Sequence, residues 1–160
     1  MKGRGENEMQ LETFFPYRLA IAAEAFSRNL VAVYGQTYGL SREEWRLLFL
    51  LQGAGQVTSL DLSRRTTLDK VQVSRAAQRP EEKGLITREV SVGDRRLKDY
   101  TITPAGRALF AEAFAAVEAR AGDILGRMKD RDRQALERGL AALAAAVAEA
   151  APDGLRLPEA

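Results

Sequence analysis

From Phe15 onward, apolar residues fall three or four apart: Phe15, Leu19, Ala22, Phe26, Leu30 and Val33 share one face of a helix. Pro16 is tolerable in its first turn, and Gly39 stops it. Ser41-Arg42-Glu43-Glu44 has the form of a capping box, in which Ser and the Glu three residues on satisfy each other's backbone N–H groups. It opens a second helix, Trp45 to Gln52, ended by Gly53 and Gly55. Thr58-Ser59-Leu60-Asp61 starts a short third helix that ends near Thr66. After a tight turn, Asp69-Lys70-Val71-Gln72 repeats the cap form and opens a fourth helix, with Gly84 as its stop.

The period then changes. Leu85 to Val92 alternates partly and is rich in β-forming residues, Gly93-Asp94 marks a turn, and Lys98 to Thr103 reads as a returning strand. Thr103-Pro104 is a cap with Pro at the first helical position. A long helix follows, with Leu109, Ala113, Val117, Ala121, Ile124 and Met128 on one face. Asp130 or Asp132 starts a last helix carrying Leu136, Leu140, Leu143 and Val147. The expected fold is mainly α: a winged helix-turn-helix with a two-stranded wing and long N- and C-terminal dimerisation helices. Residues 1–12 read as a flexible N-terminal arm and 152–160 as a tail. Residues 39–103 form the winged helix-turn-helix, and 13–38 with 104–151 the helical dimerisation region. The two last stripes flank a unit too small to cover both, which predicts a homodimer.

Composition narrows the chemistry. The chain has 160 residues, 46% of them hydrophobic, enough to bury a real core. It contains no Cys and no His, which removes disulfides, thiol nucleophiles and the commonest zinc ligands. Ser, Asp, Glu, Lys and Tyr are available as catalytic types, yet there is no nucleophile elbow, phosphate-binding Gly loop or metal-ligand cluster. No enzyme, cofactor or metal site is expected. No apolar run reaches membrane-spanning length, and the polar start has no signal-peptide core, so a cytoplasmic protein without a membrane partner is expected.

The net charge is only +2, so the position of the cations matters more than their sum. Two short capped helices followed by a basic hairpin are the order of a DNA-reading helix-turn-helix and wing. On the fourth helix, Val73 and Ala77 face inward and Arg75 projects nearly opposite. Gln72, Gln78 and Arg79 flank it, and Lys70 and Ser74 lie toward its start. Arg can bond two guanine acceptors and Gln can do the same for adenine, so this face suits base edges of double-stranded DNA. Arg95 and Arg96 at the hairpin tip suit phosphates or a narrow minor groove. Asp94 would brace the tip through a local ion pair. Arg64 and Arg65 are as well explained by solvent as by phosphate. The first third is rich in aromatic residues, from Phe14 to Phe49, which core and dimer packing explain for the most part. A sharper reading adds a ligand pocket at Trp45, with Arg18 or Arg46 pairing the carboxylate of a small aromatic acid or related anion.

At this point the chain resembles the MarR family of bacterial transcriptional regulators. The carrying residues are Leu40-Ser41-Arg42-Glu43-Glu44-Trp45-Arg46, Asp69-Lys70-Val71-Gln72-Val73-Ser74-Arg75, Glu81-Glu82-Lys83-Gly84-Leu85-Ile86, Asp94-Arg95-Arg96 and Ile102-Thr103-Pro104-Ala105-Gly106-Arg107. The resemblance covers roughly Phe15 to Val147. It implies a triangular homodimer held by the first, fifth and sixth helices, a pseudo-palindromic operator, repression of neighbouring genes, and release by a small ligand bound between dimer region and DNA lobe. One position departs: Pro80 stands where the family has Leu. Pro removes the N–H bond to Ala76 and costs on the order of 3 kcal/mol in a helix interior, so a distorted helix end is expected. The runner-up reading is a winged-helix protein-interaction module without a small-molecule effector.

Overall fold

The computed structural model describes residues 12–66 and 69–150. Apart from Glu12, the arm expected over 1–12 lies outside them. So do the tail at 152–160 and the middle of the turn before the fourth helix. The element order is α1 (Phe15–Gln36), α2 (Arg42–Ala54), β1 (Gln56–Thr58), α3 (Ser59–Thr66), α4 (Lys70–Glu82), β2 (Ile86–Val90), β3 (Lys98–Ile102), α5 (Pro104–Leu125) and α6 (Asp130–Ala150).

Local chemistry sets these boundaries. Both predicted capping boxes are present: Ser41 with Glu44 opens α2, and Asp69 with Gln72 opens α4. Thr103 caps α5, its hydroxyl accepting from Gly106 N–H at 3.0 Å and donating to the Gly84 carbonyl at 2.7 Å. Gly84 ends the turn after α4 at φ +68°, a left-handed conformation that costs glycine little. Gly106 is required for a different reason. A Cβ there would meet the Leu85 carbonyl oxygen at 2.0 Å, so the start of α5 approaches the strand entrance as only glycine allows.

The hairpin β2–β3 is the expected wing, pairing Ile86 with Ile102 and Val90 with Lys98. A third strand joins it. β1 pairs antiparallel with β3, Val57 opposite Tyr100, giving the order β1-β3-β2. A three-residue segment shows no alternation of its own, and its partner lies more than forty residues away. The core gathers Leu47, Leu48 and Leu51 of α2, Leu62 of α3, Val73 and Ala77 of α4, Ile86, Tyr100 and Ile102 of the sheet, and Phe110 and Val117 of α5. Helix α1 packs along α5, with an Arg120–Asn29 hydrogen bond of 2.6 Å between them. Helix α6 buries none of its residues.

The distortion expected at Pro80 is absent. Helix α4 runs unbroken through Pro80 to Glu82, and the proline is fully buried among the core residues. Pro80 sits in the last turn, where only its own N–H is missing. The closing bonds are all made: Lys83 N–H to Arg79 O, Gly84 N–H to Glu81 O, and Leu85 N–H to Pro80 O.

Candidate nucleic-acid interface

Helix α4 divides cleanly. Val73, Ala76, Ala77 and Pro80 are buried against the lobe, which turns the opposite face outward. All six residues singled out on this helix (Lys70, Gln72, Ser74, Arg75, Gln78 and Arg79) are exposed, but they are not equally free. The Gln72 side chain accepts from Asp69 N–H at 2.9 Å as part of the cap. Ser74 accepts from Arg88 at 3.4 Å, and Gln78 donates to Glu82 at 3.1 Å. Lys70 and Arg75 make no side-chain hydrogen bond or ion pair with other described residues.

Arg79 reaches toward the start of α2. One guanidinium nitrogen lies 3.4 Å from the Glu44 carboxylate, and another donates to the Gly39 carbonyl at 3.3 Å. The Glu44 side chain is 5% exposed and also accepts from Ser41 N–H at 2.7 Å. One carboxylate therefore serves the α2 cap and the end of α4 together. Arg79 thereby links the end of α4 to the start of α2, with its side chain still 57% exposed.

The wing has its own tie. Arg88 of β2 donates to Glu81 of α4 through two nitrogens, one at 2.7 Å, and this hydrogen bonding holds its guanidinium pKa above the ordinary range. Sequence reasoning passed over Arg88, because its partner is defined only once strand and helix are packed. At the tip, Arg95 and Arg96 are exposed. Asp94 braces the turn by accepting from Arg96 N–H at 2.9 Å, a backbone hydrogen bond in place of the expected ion pair.

A second constellation lies where α1, α2 and α5 meet. Tyr34 and Trp45 stack with ring centroids 4.8 Å apart, and Trp45 continues onto Phe110 at 5.0 Å. Phe114 and Phe49 complete the cluster. The i, i+4 pair Phe110 and Phe114 was legible in the sequence but fell outside the stripe assigned to that helix. Burial pushes the Tyr34 hydroxyl pKa up, opposed by the charges of Arg42 and Arg46; Arg46, next to Trp45 in the sequence, is exposed. Arg18 does not join it: sixteen residues along α1, it stands about 24 Å from Tyr34 in the helix direction. Around the middle of α1, an apolar groove of 710 Å³ opens between Phe26, Ile124, Met128, Leu136 and Leu140, with Arg120 and Glu137 at its polar margin. Among the described residues, no helix is long and apolar enough to cross a membrane.

Three capped helices, a short sheet ending in a basic wing, and long flanking helices define a winged helix-turn-helix protein. Residues 38–97 match the family model described as the MarR family. A MarR-family transcriptional regulator from Silicibacter pomeroyi shares 26% identity, covers 92% of this chain and 97% of its own, and superposes with a TM-score of 0.71. A probable transcriptional regulator from Pseudomonas aeruginosa shares 27% identity over 83% of this chain and 98% of its own, also at 0.71. BpsR of Bordetella bronchiseptica, whose DNA binding is regulated by 6-hydroxynicotinic acid, has the same fold at 22% identity, with coverage of 79% and 98% and a TM-score of 0.66. No curated protein sequence matches the chain. The sequence match over residues 38–97 and the structural likeness over most of the chain are both to the MarR family of transcriptional regulators.

Proposed function

We propose that this chain binds duplex DNA sequence-specifically as a homodimer and represses transcription from a pseudo-palindromic operator, releasing it when a small aromatic carboxylate binds. One observation carries the reading. On α4, Lys70 and Arg75 make no side-chain hydrogen bond or ion pair among the described residues, and with Arg95 and Arg96 at the wing tip they put four exposed cations on the helix face and hairpin of the winged unit. A helix face reads base edges in the major groove, and a basic hairpin beside it reaches the backbone or minor groove. Ser74 and Gln78 lie within the same face and add polar contacts. Gln72, held in the cap, and Arg79, held on Glu44, support the helix from its two ends.

Dimerisation is supported by apolar surface that one copy leaves open. Leu136 and Leu140 on α6 and Phe15 and Ile21 on α1 are exposed, and the groove between α1, α5 and α6 lies beside them. Effector binding is supported by the Trp45 cluster, with exposed Arg46 next to Trp45 in the sequence, at the junction of long helices and DNA lobe. The regulation of BpsR by an aromatic acid supports that chemical class on this fold. Arg18 lies with the exposed apolar residues of α1 and is assigned to the dimer region, so Arg46 is the carboxylate partner.

The test is to sequence genomic fragments retained by the purified protein, then titrate aromatic acids into the retained complex. The proposal predicts an inverted repeat among the retained fragments and release by at least one acid, lost in Arg46→Ala. Retention without any common sequence would overturn it.

A further inference from the structure

The outer face of α4 carries an apolar residue where a solvated helix would be polar. Val71 is 58% exposed on a helix whose other valine, Val73, is 2% exposed in the core. At about 100° per residue, Val71 and Arg75 each point about 160° from Val73, on either side of the outermost line of the helix. They are one turn apart, hence neighbours on that face. Of the other polar groups on the exposed side, Gln72 is held in the cap, Ser74 by Arg88, Gln78 by Glu82 and Arg79 by Glu44. Val71 and Arg75 therefore stand at the front of the helix, one offering a branched apolar surface and the other a guanidinium with no partner among the described residues.

The major groove presents one apolar feature, the thymine 5-methyl group, and one doubly accepting edge, guanine O6 and N7. We infer that Val71 and Arg75 read a thymine and a guanine together, Val71 covering the thymine methyl and Arg75 bonding the guanine edge. The inference rests on the proposed DNA binding and names which bases this face selects. Four residues of helix advance about 6 Å. Base pairs are spaced about 3.4 Å apart, so the thymine lies within about two base pairs of the guanine in each half-site. Lys70, beside Val71 and without a partner among the described residues, is left for the adjacent phosphate.

The experiment takes the duplex retained by the wild-type protein and replaces each thymine in turn with deoxyuridine, which removes only the methyl group. Each guanine is replaced with 7-deazaguanine, which removes the N7 acceptor. Burying one methyl group is worth about fourfold in affinity. We expect one thymine per half-site at which deoxyuridine weakens wild-type binding about three- to fivefold, while Val71→Ala is insensitive to the same change. The guanine within two base pairs of it is sensitive to 7-deaza substitution in wild type and insensitive in Arg75→Ala. Val71 is exposed, so Val71→Ala should keep the wild-type thermal midpoint. Specific binding with no methyl-sensitive thymine, or with equal methyl sensitivity in both proteins, overturns the assignment and leaves DNA recognition intact. Failure of wild type to prefer any duplex overturns the proposed function and this assignment together.

Discussion

Arg75 and Arg79 are one helical turn apart on α4, and the packing gives them different surroundings. Arg75 is exposed, with no side-chain hydrogen bond or ion pair among the described residues; Arg79 is tied to Glu44 and Gly39. Arg79→Ala should lower folding stability by about 1 kcal/mol, the scale of a partly exposed ion pair, and weaken binding to all duplexes alike. Urea unfolding together with binding to two unrelated duplexes checks this. A changed base preference with unchanged stability would return Arg79 to the reading face. The sequence could not separate the two arginines, because Glu44 lies 35 positions away and its approach depends on how α2 crosses α4. Pro80 raises a related question. The helix tolerates it, but the Ala76 carbonyl has no proline N–H to accept from. Pro80→Leu restores that donor at a core position, and a rise in thermal midpoint of several degrees is expected, about 1 kcal/mol for one regained bond. An unchanged or lower midpoint would show that the surrounding core is shaped to the ring.

At the level of elements, the caps were legible because their chemistry is local. Ser41 and Glu44, Asp69 and Gln72, and Thr103 with Pro104 each lie within four residues, and each boundary stands where it was expected. β1 was not legible, since three residues carry no period and only β3 makes them a strand. The wing is the element with the plainest electrostatic signature. Its tip residues, Arg95 and Arg96, have no structural duty beyond the turn itself, so their removal should leave the fold intact. Replacing both with Ala should weaken binding to many sequences, and the slope of log affinity against log salt should fall by about one for each phosphate the wing no longer reaches. Binding isotherms at a series of salt concentrations measure that slope. A slope equal to the wild-type value would mean that the wing does not touch the backbone.

For the whole molecule, the long helices pose a problem of burial that one copy does not solve. α6 buries no residue, although Leu136, Leu140 and Val147 form a stripe along it. Each such side chain is worth roughly 1.5–3 kcal/mol when fully covered. A second copy placed against α1, α5 and α6 would cover this stripe and set two DNA lobes at a fixed separation, as an inverted repeat requires. Sedimentation at micromolar concentration should give a dimer, and Leu136→Glu combined with Leu140→Glu should give monomers that retain helical content and lose operator affinity. A wild-type monomer would remove this arrangement. The apolar stripes were legible from spacing alone. What they pack against within the chain, and what they leave for a partner, emerged only with the groove beside Phe26.

The central claim is that the α4 face reads sequence, and competition between duplexes tests it most directly. At physiological salt, the affinity of wild type for its retained duplex should exceed that for random duplex by about a thousandfold or more. Arg75→Ala should lose about 1–3 kcal/mol of that preference while its affinity for random duplex stays close to wild type. Equal affinity for the two duplexes in wild type, or a preference untouched by Arg75→Ala, would contradict the account.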